Sequence, residues 1–197
     1  MQNPSAAPLI LASSSRYRRR QLERFLNEFE VVEPGVDESA ETAPDPATLA
    51  AALARRKAEA VAGKHRDAVI IGADQVAELE GRVVGKPGDH ARAVEQLMAA
   101  SGKTMEFLTA VCVLDPHHRK RYEHLDRTTV RFRRFDRRQA EVYVEHDKPY
   151  DCAGSFRLEG AGFVLFHSVR TEDPTALIGL PMIWLAATLR ELGLLQP

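Results

Sequence analysis

The run Leu9-Ile10-Leu11-Ala12-Ser13-Ser14-Ser15-Arg16-Tyr17-Arg18-Arg19-Arg20 constrains the fold more than any other stretch of the chain. Four apolar residues read as a buried strand, three serines as a turn, and Arg16, Arg18, Arg19 and Arg20 as the opening of a helix. Ser15 is a natural N-cap, and a helix start leaves N–H groups unpaired at the positive end of the dipole. Guanidinium groups added to that end make an anion site suited to phosphate. The alternative is a capped surface helix whose arginines are solvated.

The remaining segments continue the alternation of strand-like and helix-like patterns, which points to an α/β or α+β domain. Arg18–Leu26 reads as the first helix and Phe29–Val32 as a short strand. Pro34-Gly35 then turns the chain into an acidic loop, and Pro46–Gly63 is an alanine-rich helix with Asp45 as its cap. Ala68–Gly72 has the continuous apolar character of a central strand, followed by a hairpin with Gly81-Arg82 at its turn. Asp89–Ala100 is a helix, Phe107–Leu114 and Thr128–Phe135 are paired antiparallel strands, and Arg137–Glu145 is helical. Beyond a glycine-rich segment, Cys152–Gly162, Phe163–Phe166 reads as a strand and Pro181–Leu192 as a closing helix. No repeat or linker divides the chain, so residues 1–197 read as a single domain with a cleft.

Composition narrows the partners. Lys and Arg number 27 against 28 Asp and Glu, a net charge of −1 that gives no reason to expect a surface for a nucleic-acid polymer. The basic residues cluster locally, which suits a small anionic ligand. No apolar run approaches a membrane span, and Met1–Ala7 lacks the layout of a signal peptide. Cys112 and Cys152 are too far apart in sequence to form a zinc spacing, and Cys112 reads as a small core residue. A reducing cytoplasm is the simplest compartment.

Asp74 is the foremost candidate for catalysis, because it lies just past the Ala68–Gly72 strand, where α/β sheets place ligand sites. A carboxylate there can hold a divalent cation, activate water, or serve as a satisfied turn residue. Asp37 and Glu38, in the acidic loop, can complete an oxygen-ligand site with it, or else be solvated or cap a turn. Lys57, on a helix, and Lys86, in Gly85-Lys86-Pro87, are candidate phosphate partners for Arg18, with solvated lysines as the alternative. Ser101-Gly102-Lys103-Thr104 is not a phosphate-binding P-loop. Leu97 stands where that motif needs its first glycine, so the segment reads as a helix C-cap leading into a strand.

Together these pieces resemble the Maf family of nucleoside triphosphate pyrophosphatases. The matching residues run in order through the chain: Leu9–Ser15 with Arg18-Arg19, Val36-Asp37-Glu38, Lys57-Ala58, Ile71–Gln75, Gly85-Lys86-Pro87, Ser101-Gly102-Lys103, Thr109-Ala110-Val111, Ala153-Gly154 and Ile178–Pro181. The resemblance implies a Maf/ITPase-like α/β fold, a mixed twisted sheet with flanking helices, bilobal with an active-site cleft, often as a homodimer. It implies hydrolysis of a nucleoside triphosphate between the α- and β-phosphates with a divalent cation, Mg2+ or Mn2+. Ser13, Arg18, Lys57 and Lys86 would hold phosphates. Glu38 and Asp74 would bind the metal, with Asp74 orienting or deprotonating the attacking water.

Three positions bear on the base. The family's dTTP- and UTP-specific branch typically carries Arg, Thr and Gln where this chain has Tyr17, Gln75 and Glu159. Cys152–Phe156 with Glu159-Gly160 looks instead like the branch acting on 7-methyl-GTP, although that branch usually has Trp at the position of Tyr17. N7-methylation makes guanine cationic, so an aromatic face and a carboxylate are sensible partners. The alternatives are that Tyr17 packs against its helix and Glu159 caps a turn. Arg16 replaces the family's usual proline, either as a phosphate ligand or as a solvent-facing charge. The rival functions are a dTTP/UTP pyrophosphatase and a non-catalytic nucleotide-binding regulator of septum formation.

Overall fold

The computed structural model describes residues 7–196. Met1–Ala7, read above for a signal layout, lies outside it apart from Ala7. The opening motif folds as its sequence dictates. β1 (Leu9–Ala12) is buried along its length, and Ser15 caps α1 (Arg16–Glu23) by accepting from the Arg18 N–H. β2 (Glu30–Val32) follows, then α2 (Pro46–Ala62), which Asp45 caps through the Thr48 N–H with Pro46 in the first turn.

The chain continues through β3 (Val69–Leu79), β4 (Arg82–Val84), α3 (His90–Ala100), β5 (Thr104–Asp115), β6 (Lys120–Phe132), α4 (Arg137–Asp147), β7 (Phe166–Arg170) and α5 (Met182–Glu191). Among the described residues the strands form one mixed sheet in the order β2-β1-β3-β5-β6-β7, with β4 paired to β3. β1 runs parallel to β2 and β3, whereas the β3–β5, β5–β6 and β6–β7 pairings are antiparallel.

The alternation of side chains along β3 sets out the core. Val69, Ile71 and Ala73 pack with Leu22, Leu185 and Leu189 on one face of the sheet. Ile70 and Val76 pack with Ala50, Ala54, Ala58 and Val61 of α2 on the other. Further along, Ala77 and Leu79 join Leu97, Phe107, Phe132 and Tyr143 in a third cluster, under α3 and α4. The sheet therefore carries two lobes, with a cleft where one set of flanking helices gives way to the next.

α2 approaches the sheet closely at Gly72. A Cβ there would collide with the Ala54 carbonyl oxygen and lie 2.6 Å from the Ala58 nitrogen, so this position excludes any side chain. The β3–β4 hairpin turns at Glu80-Gly81, both with positive φ, one residue earlier than expected.

Three further boundaries differ from the sequence reading. β3 does not end at Gly72 but continues to Leu79, because β5 pairs with it from Ile70 to Leu79. β6 begins at Lys120, since register with β5 holds even its polar residues in the ladder. Phe163 falls in a 3-10 turn over Gly162–Leu165, and the strand starts only at Phe166. Ser101 does cap α3, and Gly102 leads into β5. Cys112 is a buried core residue. No helix among the described residues is long and apolar enough to cross a membrane.

Candidate active site

The cleft between the lobes has a volume of about 850 Å³, and its wall includes Ser13, Tyr17, Arg18, Glu38, Lys57, Asp74, Gln75, Lys86 and Glu159. Residues from six separate segments thus meet in one place.

At the deep end the backbone of β1 and α1 positions Ser13 and Arg18. The Ser13 hydroxyl accepts from the Ser15 N–H (3.1 Å) and from Arg18 Nη1 (3.4 Å), while Arg18 Nε donates to the Gly179 carbonyl (3.1 Å). Arg18 is buried, not solvated. Burial lowers its pKa and the charges of Asp74 and Glu38 oppose that shift; a guanidinium remains cationic regardless.

Lys57 lies on the buried stripe of α2, next to the Ala54 and Ala58 turn that meets Gly72. Asp74 lies two residues beyond Gly72 on the same face of β3, so the close helix–strand approach brings the two together. Lys57 Nζ donates to Asp74 Oδ1 and pairs with Glu38 Oε1, each at 2.6 Å. The Lys57 and Asp74 side chains are 8% and 9% exposed, and that of Glu38 is 50% exposed, so a buried pair meets a third charge from the cleft side. Burial pushes the Glu38 carboxyl up, but its hydrogen bond and charge interaction with Lys57, aided by Lys86 and Arg18, outweigh that and leave it below the usual carboxylate value.

Asp74 is therefore a mid-strand residue. The sequence reading, which ends the strand with the apolar run Ala68–Gly72, puts it past the strand end. Asp37, offered as a companion ligand, instead caps the turn Glu38–Ala40 through the Ser39 N–H (3.0 Å) and hydroxyl (2.7 Å).

The two carboxylate oxygens that converge on one ammonium are no more than twice that contact distance apart. Such a pair suits a small hard cation, which takes one or two carboxylates and completes its shell with phosphate oxygens and water. Among the described residues no group of three or more His, Cys, Asp and Glu side chains is arranged to hold a metal alone.

The other end is built differently. Gln75 points to the opposite face of β3, where its amide nitrogen donates to the Thr109 hydroxyl (2.9 Å) and the Ala176 carbonyl (3.0 Å). That leaves its carbonyl as the group with capacity for a ligand. Glu159 sits in a turn anchored from below by α4. Arg157 N–H donates to the Tyr143 hydroxyl, Arg157 Nη1 to the Asp147 carbonyl, and Ala161 N–H to Asp147 Oδ2. Facing this turn, the Tyr17 ring has the Arg16 and Arg157 guanidinium carbons 4.9 and 5.7 Å from its centroid. Asp151, Cys152 and Arg157 complete this wall. The sequence reading gives Cys152 a role only within the stretch that resembles the 7-methyl-GTP branch and gives Asp151 and Arg157 none, since Asp151 is distinguished only by the turn that puts it there.

A family model described as Maf-like protein matches residues 8–192 of the chain. The chain belongs to the Maf family. Among relatives, a 7-methyl-GTP pyrophosphatase of Xanthomonas axonopodis pv. citri (strain 306) is 48% identical over 189 residues, 96% of this chain and 98% of that protein. One from Ralstonia nicotianae is 47% identical over 184 residues, 93% and 95% of the two chains. Another, from Pseudomonas aeruginosa, is 44% identical over 189 residues, 96% and 98%. The mixed α/β architecture and seven-stranded sheet are those expected of a Maf protein.

Proposed function

We propose that this Maf protein hydrolyses 7-methyl-GTP to 7-methyl-GMP and diphosphate. The observation that carries the reading is a single cleft with a buried cationic and carboxylate cluster at one end and an aromatic–carboxylate wall at the other. Relatives named 7-methyl-GTP pyrophosphatase that align along nearly the whole chain support the choice of substrate.

In this reading Ser13, Arg18, Lys57 and Lys86 hold the triphosphate and neutralise charge building on the leaving diphosphate. Asp74 orients the attacking water and takes its proton as the α–β phosphoanhydride breaks. Glu38 and Asp74 would hold Mg2+ or Mn2+, which when bound supplies charge neutralisation of the phosphates. Most of the acceleration then comes from positioning and electrostatics. At the base end, Tyr17 stacks on the cationic ring, and Glu159 accepts from the N1–H and exocyclic amine of guanine. Gln75 contributes its carbonyl to the same pocket. The homodimer expected of the family and a cytoplasmic location are part of the proposal, and sedimentation and cell fractionation test them.

The deciding experiment measures pyrophosphate release with magnesium from 7-methyl-GTP, GTP, dTTP, UTP and CTP in parallel. Preference for 7-methyl-GTP is expected. Preference for dTTP or UTP would keep the phosphate chemistry and discard the methylguanine pocket. Tight binding with no release from any nucleotide would make the protein a nucleotide-binding regulator.

A further inference from the structure

Arg16 faces neither the phosphate end nor open solvent alone. Its Nη2 donates to the Tyr17 hydroxyl at 2.8 Å and pairs with Asp151 Oδ2 at 3.2 Å. The Tyr17 hydroxyl in turn donates to Asp151 Oδ1 at 3.0 Å, across 134 residues of sequence. Three side chains thereby close a ring of contacts between the first turn of α1 and the loop after α4. Burial pushes the Tyr17 phenol well up, so it keeps the proton it donates to Asp151.

We propose that Arg16 and Asp151 are a positioning pair that fixes the Tyr17 ring as the stacking surface for the nucleobase. The inference rests on the assignment of Tyr17 to the base end of the cleft. Stability is a poor explanation for the pair, because both side chains are about half exposed, 55% and 48%. Such surface pairs contribute little to stability. Orientation is a better one: the phenol oxygen is held from two directions, as acceptor from Arg16 and donor to Asp151. Held that way, the ring has less freedom to lose when a base stacks on it. The Cys152 thiol lies 3.5 Å from the same oxygen, and its own pKa is pushed up to about 12, first by burial. It stays a neutral thiol and leaves the orientation to the charged pair.

The test is a double-mutant cycle, read as KM and kcat on the nucleotide the wild type turns over best. Tyr17→Phe, Asp151→Ala and Arg16→Ala are each expected to raise KM by about 3–10-fold, with kcat changed less than about twofold. Asp151→Ala added to Tyr17→Phe is expected to cost nothing more, because the hydroxyl it positions is already gone. Arg16→Lys is expected to recover most of the loss. Unchanged KM in both Asp151→Ala and Arg16→Ala would reduce the pair to a solvated ion pair and overturn the inference. Multiplying losses in the double variant would also overturn it, by showing that Asp151 acts independently of the tyrosine. Thermal melts show whether each variant is folded. Wild-type preference for dTTP or UTP would refute the methylguanine reading alone, and the cycle would then be read on that nucleotide.

Discussion

The two ends of the cleft are made of different material. The proposed phosphate end draws Ser13, Arg18, Lys57 and Asp74, all buried, from regular elements or the turn between them, and adds Glu38 and Lys86 from exposed turns. The proposed base end draws Asp151, Arg157 and Glu159 from loops after α4, and adds Tyr17 from α1 and Gln75 from β3. On the proposed assignment, chemistry common to every nucleoside triphosphate is anchored mainly in the core, whereas discrimination among bases draws more heavily on loops.

The sharpest way to break this contrast is Asp74→Asn. Turnover is expected to fall by about 10²–10⁴-fold, the range for loss of a positioned proton acceptor, with every nucleotide affected alike. Pyrophosphate release and a circular dichroism melt would show loss of activity in a folded protein; retained turnover would remove Asp74 from the chemistry. Next comes Gly72→Ala, which touches no ligand. The new Cβ meets the backbone of Ala54 and Ala58, so relief requires α2 to shift, at a cost of roughly 1–3 kcal/mol. Because α2 carries Lys57, kcat should drop while the ranking of nucleotides stays the same. A changed ranking would mean that the two ends are not separable.

The base end calls for the opposite signature. Tyr17→Leu removes a cation–π contact worth roughly 0.5–2 kcal/mol, so preference for 7-methyl-GTP over GTP should fall by about 2–30-fold. Glu159→Gln should erode the same ratio by removing the negative charge, with kcat on GTP nearly unchanged. Equal loss on both nucleotides would mean that these residues do not read the charge that the N7 methyl confers. The smallest effect concerns Glu38. Its carboxyl is depressed in the folded protein, so the stability it contributes is present above the ordinary carboxylate pKa and disappears as pH falls through the folded value. Glu38→Gln is therefore expected to melt slightly below wild type at pH 7 and to converge with it only as pH falls below the ordinary carboxylate range. Parallel melting curves at every pH would deny the coupling to Lys57.

The same contrast explains what the sequence made legible. Strand–turn–helix order at Leu9–Arg20, the caps Ser15 and Asp45, and the buried stripe of α2 are local patterns, and each folds as its residues predict. Nine of the candidate site residues line one cleft, and Asp37 does not. Misreadings arose where the deciding partner is distant in sequence. The apolar run Ala68–Gly72 understates β3 because the pairing with β5 that carries the strand on to Leu79 is not visible locally. The polar start of β6 looked like loop because its register comes from β5. Arg16 was ambiguous because its partner, Asp151, is fixed by a loop that no local pattern announces.

β3, β5 and β6 each run from one lobe into the other: Ile71 and Ala77 of β3, Val113 and Phe107 of β5, and Tyr122 and Phe132 of β6 lie in different core clusters. The lobes therefore share a beam instead of a hinge. Parting them would mean flexing several hydrogen-bonded strands at once, so the floor of the cleft behaves as a stiff bracket of set span. Entry and exit of a nucleotide then fall to the rim, the acidic loop that carries Glu38 and the turn that carries Glu159, while the spacing between the two ends stays nearly constant.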